Sequence, residues 1–172
     1  MKLISKQKKL FAAIMVLAAL FFGLFSAKNI VVAPGQNGAA NSPAASATKT
    51  AIVTKVLDGD TIIVSGGEHV RLLGIDADEK GYPCYDAGRL RLEELILGKT
   101  VALETDGEDL DQYGRQLRYI FSNGENINQK MIAEGLAIAR FYPENRKYKT
   151  EIAAAESEAI KNKTGCKWGK QF

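Results

Sequence analysis

Three short stretches of the chain gather the oxygen and guanidinium groups that hydrolysis of a phosphodiester requires. Asp58-Gly59-Asp60-Thr61 sets two carboxylates two residues apart, between one β-branched run and the next. Alone it reads as a hairpin turn, because Asp-Gly is a common turn signal. Arg71-Leu72-Leu73-Gly74-Ile75-Asp76 opens on a guanidinium and closes on a carboxylate, and Ala77-Asp78-Glu79 adds two further acids. Alone it is a salt-bridged strand edge. Asp111-Gln112-Tyr113-Gly114-Arg115 reads separately as a solvated loop with a turn glycine. Together the three hold a full set of parts. A hard cation such as Ca²⁺ takes oxygen ligands at about 2.3–2.6 Å, which Asp60 and Asp76 can supply. A third carboxylate can orient or deprotonate a water, an effect on the order of 10²–10⁴-fold. Charge building on phosphoryl oxygens needs fixed cations, and an arginine fork meets two oxygens at once.

The elements around these stretches follow from apolar spacing. Ile52, Val53, Val56 and Leu57 form a first strand that Asp58-Gly59-Asp60 ends. Thr61 to Ser65 is β-branched and reads as a second strand, Gly66-Gly67 as a hairpin turn, and His69 to Ile75 as a third strand. Asp86 to Leu97 carries Leu92, Leu95 and Ile96 on a helical stripe stopped by Gly98. Val101 to Glu104 and Gln116 to Phe121 are strands four and five, with a polar, acidic loop between them and a turn at Asn123-Gly124. Ile127, Met131, Ile132 and Leu136 set a second helix, and Tyr148, Ile152, Ala155 and Ala159 a third. The pattern predicts an α+β domain, a five-stranded OB-fold β-barrel with three helices, an architecture that commonly binds nucleic acid. An open α+β sheet would carry a similar pattern.

Ahead of the domain, Lys2, Lys6, Lys8 and Lys9 precede an unbroken apolar or small run from Leu10 to Ala27. That pairing marks residues 1–27 as an export segment, either a signal anchor or a cleaved signal peptide. The run is just long enough to span a membrane, and Phe25 and Ala27 make a poor cleavage site, so the anchor is favoured. Residues 28–49, rich in Pro, Gly, Asn, Ser and Ala, read as a flexible linker, leaving 50–172 as the domain. The expected location is extracytoplasmic, membrane-anchored by the N-terminal apolar helix or secreted. The formal charge of +3 comes from the four leading lysines; without them 19 basic residues face 20 acidic ones. A polyanion site must therefore be a local cluster of cations and not a basic surface. Hydrophobic content of 46% with 25% charged residues excludes a disordered or collagen-like chain.

From about Ala51 to Gly169 the chain resembles the staphylococcal nuclease family, which shows an Asp-Gly-Asp-Thr turn, an Arg-Leu-Leu strand running into an acidic loop, and a Tyr-Gly-Arg before a strand. The resemblance implies a calcium-dependent endonuclease acting on DNA and RNA, single strands favoured. It implies that Asp60, Asp76 and the carbonyl of Ala77 hold Ca²⁺, with Asp58 a nearby acid outside the direct ligands. Glu79 would act on the attacking water, Arg71 and Arg115 would grip the phosphate, and Tyr113 would hydrogen-bond or stack near the nucleotide. One departure stands out: Ala77-Asp78-Glu79 has aspartate where the family has proline, which frees the loop backbone and adds a carboxylate expected near the metal.

Phe141-Tyr142 matches an aromatic stretch that lines the family's nucleotide pocket, and core packing is an equal reading of both rings. We expect Tyr142 to contact substrate and Arg140 to contact its backbone. His69 reads as structural. Cys84 and Cys166, the only cysteines, are expected to bridge in an oxidising compartment, two free thiols being the alternative. A monomer is expected. Two other functions compete with catalysis: an inactive barrel that binds nucleic acid or protein, and a calcium-stabilised adhesion module on a membrane stalk. Retention of the acids and both arginines separates catalysis from both.

Overall fold

A computed structural model describes residues 48–169. The apolar run from Leu10 to Ala27 and most of the expected linker lie outside the described residues. Among the described residues no helix is long and apolar enough to cross a membrane.

Five strands form a closed barrel. β1 (Lys49–Val56), β2 (Thr61–Val64) and β3 (His69–Leu72) run as an antiparallel meander. β5 (Thr100–Glu104) pairs with β1, and β6 (Gln116–Ser122) pairs with β5. β3 lies parallel to β6 and completes the circuit. The alternation read from the sequence is the burial pattern: Val53, Ile62, Val64, Val70, Leu72, Val101, Leu103 and Ile120 all point into the core. Gly66 and Gly67 take positive φ values of 97° and 80° and turn β2 into β3.

The expected third strand, His69 to Ile75, is two strands. Gly74 sits at φ 76°, in the left-handed region, and redirects the chain after Leu72. The continuation, β4 (Ile75–Ala77), leaves the barrel and pairs with β8 (Ala137–Ala139). A short β7 (Glu125–Asn126) extends the sheet beside β6 after the Asn123-Gly124 turn.

The helices cover the barrel and buttress β4. α1 (Tyr85–Ile96) buries Gly88, Leu92 and Ile96. α2 (Ile127–Ala133) is capped by Asn126, whose side chain accepts from Gln129 N at 3.1 Å. Leu136 falls beyond the end of α2, because Gly135 at φ 64° stops the helix first. α3 (Lys149–Asn162) packs on α2 through Ile152 and Ala159. A fourth helix that the spacing did not announce, α4 (Gly165–Trp168), ends the described chain. It lies close against the end of α2: a Cβ on Gly165 would meet Glu134 O at 2.0 Å, and one on Gly135 would meet Thr164 O at 2.0 Å.

Candidate active site

The turn between β1 and β2 delivers Asp58 and Asp60 to the rim of the barrel. Asp60 is only 4% exposed. Its turn is closed by the Asp58 carboxylate, which accepts from Asp60 N at 3.0 Å, an Asx turn. Gly59 makes this possible by size: a Cβ there would lie 2.6 Å from Ala77 Cβ and 3.4 Å from the Gly88 backbone. The turn, β4 and α1 are thus pressed together at one point.

Arg71 on β3 ties the carboxylates to each other. Its Nη2 lies 3.0 Å from Asp60 Oδ2 and 3.0 Å from Asp76 Oδ1, while Nη1 donates to the carbonyls of Leu72 and Ile75 at 2.9 Å each. Arg140 meets the other oxygen of Asp76 at 2.9 Å. Ala77 N donates to Asp60 Oδ2 at 2.6 Å, and Thr61 Oγ1 to Asp60 Oδ1 at 3.0 Å. Burial dominates the Asp60 carboxyl and pushes it up to about 7, against the opposing pull of Arg71 and Ala77 N.

Arg115 is set from the loop before β6. Asp111 takes Arg115 Nε at 2.6 Å and, with its other oxygen, Arg115 N at 3.0 Å and Tyr113 N at 2.9 Å. Burial opposes ionisation of Asp111, yet these bonds hold its carboxyl below the usual carboxylate range. Arg115 Nη1 comes within 3.5 Å of Thr61 Oγ1, which joins it to the Asp58–Asp60 turn. Arg71, Arg115, Tyr113 and Tyr142 border one open cavity of about 370 Å³. Tyr113 is exposed, with Arg115 5.5 Å from its ring centroid; Arg140 stands 5.9 Å from that of Tyr142. The aromatic pair divides: Phe141 packs against the core and Tyr142 is exposed at the cavity.

Two acids of the 76–79 loop differ from each other. Glu79 is exposed, its carboxylate has no hydrogen bond or ion pair among the described residues, and its carbonyl accepts from Tyr82 N at 3.0 Å. Asp78, expected to add charge near a metal, is turned elsewhere. One oxygen accepts from Cys84 N at 2.9 Å and the other is ion-paired with Lys167. A disulfide joins Cys84 to Cys166. His69 is an exposed residue of β3 paired with Ile63.

Asp60 and Asp76 form an oxygen-only donor set, and no group of three or more His, Cys, Asp or Glu gathers as a metal site among the described residues. Two carboxylates within reach of one guanidinium nitrogen offer oxygen donors of the kind a hard cation takes. They do not suit zinc, which favours nitrogen and sulfur.

The profile of the family described as Staphylococcal nuclease homologue matches residues 69–169. The chain belongs to the staphylococcal nuclease family. Thermonuclease of Staphylococcus intermedius is 40% identical over 119 residues, covering 64% of this chain and 71% of that protein. Thermonuclease of Staphylococcus hyicus is 36% identical over 120 residues, with the same coverage of 64% and 71%. Endonuclease YncB of Bacillus subtilis (strain 168) is 34% identical over 128 residues, 67% of this chain and 60% of that protein. With this family match and these relatives, the chain is a hydrolase of the nuclease class.

Several residues that build the site escaped the sequence reading. Thr61 joins Asp60 to Arg115, and its only signal was its place at the end of the Asp-Gly-Asp-Thr motif. Buried Asn128 donates to Leu73 O at 2.8 Å and accepts from Ile120 N at 2.9 Å, fixing the corner between β3 and β4. Buried Asn145 accepts from Glu108 N at 2.8 Å at the cavity's edge. Lys167 was marked only by standing next to Cys166.

Proposed function

We propose that this nuclease is a calcium-dependent endonuclease that hydrolyses phosphodiester bonds of DNA and RNA, single strands favoured. The observation that carries the reading is Arg71: it holds two carboxylates together and, with Arg115, borders the same cavity. Asp60, Asp76 and the Ala77 carbonyl would hold the ion, with Asp58 supporting Asp60 from outside that set. When bound, calcium neutralises charge on the phosphoryl oxygens. Arg71 would offer Nε–H, the one donor its four contacts leave over, and Arg115 its Nη2 group to the non-bridging oxygens. The Glu79 carboxylate would take a proton from the attacking water as its oxygen bonds to phosphorus; the opposite ester P–O bond breaks, and the departing oxygen keeps that electron pair and takes a proton from solvent. Tyr113 and Tyr142 offer aromatic faces to bases, a contact of about 1–3 kcal/mol per base that reads no sequence. Arg140, fixed on Asp76, would steady the strand's backbone.

The test is cleavage of a single-stranded oligonucleotide by the full-length protein in calcium, in magnesium and in chelator. We expect cleavage in calcium, little in magnesium, whose tighter octahedral demand two carboxylates and a carbonyl serve poorly, and none in chelator. Full activity in chelator would exclude the metal reading, and binding without cleavage in calcium would make the chain a binding module.

We further propose that it works outside the cytoplasm as a monomer, held by Leu10 to Ala27. The disulfide supports an oxidising compartment. Fractionation with membranes at uncleaved mass is expected. A soluble product starting between Lys28 and Thr50 would show a cleaved signal instead.

A further inference from the structure

The loop that carries Glu79 is closed into a ring by four residues, two flanking the loop and two in the last helix of the described chain. Asp78 accepts from Cys84 N with one oxygen and pairs with Lys167 through the other. Cys84 is bonded to Cys166, the neighbour of Lys167. The ring thus runs from Asp78 to Lys167, back one residue to Cys166, across the disulfide to Cys84 and home through its N–H. Only five residues, Glu79 to Pro83, are spanned on the loop side. None of these contacts is made by chance at the surface: Cys84 is 1% exposed, and the Asp78 and Lys167 side chains are 17% and 16% exposed.

The other end of the ring is fastened to the end of α2. Lys167 N donates to Gly135 O at 2.9 Å, and the paired glycines at 135 and 165 let α4 lie directly on the end of α2. On the loop side, Tyr82 N bonds to Glu79 O at 3.0 Å and Tyr85 Oη to Leu57 O at 3.1 Å, beside Asp58. Glu79 is therefore a free carboxylate on a backbone fastened at both flanks. Asp78, the residue before it, stands where the family's proline would fix one backbone torsion covalently. Here an ion pair and a disulfide do that work from outside the loop.

We propose that Asp78, Lys167 and the Cys84–Cys166 bond are a clasp that positions Glu79 for catalysis, so that turnover depends on the C-terminal helix and on the disulfide. The proposal rests on the nuclease reading with Glu79 acting on water. The clasp residues touch neither substrate nor reacting atoms; they act through Glu79, and their loss should appear in kcat and not in substrate affinity.

The experiment uses the full-length protein and single-stranded DNA in calcium, measuring kcat and Kd for wild type, Lys167→Met, Glu79→Gln and the double variant. Each is assayed oxidised and after a dithiol reductant. Reduction delivers two electrons and two protons to the disulfide, leaving thiols at Cys84 and Cys166 while the reductant becomes its own disulfide. We expect Lys167→Met or reduction to lower wild-type kcat by about tenfold or more, with Kd changed less than about twofold. In the Glu79→Gln background the same changes should alter the residual rate less than twofold, because the group being positioned is gone. Asp78→Pro, which fixes the backbone without the clasp, should make kcat insensitive to reduction. The clasp is overturned if wild-type kcat survives both perturbations. It is equally overturned if the loss lies in Kd, or if Glu79→Gln loses the same factor as wild type. Where reduction unfolds the protein, oxidised Lys167→Met decides by the same criteria. Absence of cleavage by oxidised wild type would instead overturn the nuclease reading itself.

Discussion

Replacing Arg71 by lysine keeps the charge and removes the geometry, which makes it a sharp probe of how the site is built. The guanidinium makes four contacts of 2.9–3.0 Å, two to backbone carbonyls through Nη1 and two to carboxylates through Nη2. A single ammonium cannot stand in both places, since its donors radiate from one atom. If it follows the carboxylates, the carbonyls of Leu72 and Ile75 lose a charged donor, at about 1.5–3 kcal/mol per bond. Water can reach part of this region, Asp76 being 30% exposed, so the summed loss should be about 2–4 kcal/mol. Turnover should fall by on the order of 10²-fold, the usual size of one missing charge-stabilising donor. Unfolding in urea, followed in chelator so that no other cation serves Asp60 and Asp76, measures the first quantity. Steady-state cleavage in calcium, with strand affinity measured separately, gives the second. Unchanged stability would refute the four-contact strut. Lost stability with unchanged kcat would show that Arg71 serves the fold and not the reaction.

Glu79→Gln should lower kcat by about 10²-fold or more with strand affinity kept, checked by single-turnover cleavage, because glutamine cannot accept the water's proton. Gly59→Ala should destabilise by about 1–3 kcal/mol, measured by chemical denaturation, as its Cβ would have to displace Ala77 at the point where three elements meet. Glu134 accepts a fork from Arg91 at 2.6 and 2.8 Å, which, foremost among its influences, holds its carboxyl below the usual range. A depressed folded value means stability that is present above the unfolded value, near 4.5, and lost as pH falls through the folded one. The advantage of wild type over Glu134→Gln in thermal unfolding should therefore be full at neutral pH and disappear in acid.

The barrel was legible because β-strand burial has a period of two, and Ile62, Val64, Val70 and Leu72 sit on the buried phase. The acids and arginines were legible because each lies in a short local motif. What was not legible depends on the chain meeting itself far away. β8 is three residues long and exists because β4 passes beside it. β4 exists as a separate strand because Gly74 takes a backbone angle that the run from His69 to Ile75 does not reveal. Asp78 looked like a metal-side carboxylate by its neighbours in sequence, and its actual partner, Lys167, is 89 positions away. Phe141 and Tyr142 could not be told apart by type; only the packing against the core sends one in and leaves the other at the cavity.

Where the barrel closes, β3 and β6 run parallel and Arg71 stands opposite Leu117, two residues past Arg115. The spacing of the two guanidinium-bearing positions is thus counted in ladder steps of about 3.3 Å and not in loop length. Residues between Thr105 and Asp109 lie outside that count and are held instead by contacts to the segment after β8: Asn145 accepts from Glu108 N at 2.8 Å and Asp106 from Lys147 N at 2.8 Å. A slip of β6 would exchange Leu117 and Tyr119 for Arg118 and Ile120 across the sheet and disrupt the packing of both its buried faces at once. The cavity's edge around Glu108 and Asn145 is thus set by loop contacts, and the two guanidinium-bearing positions by the strand ladder.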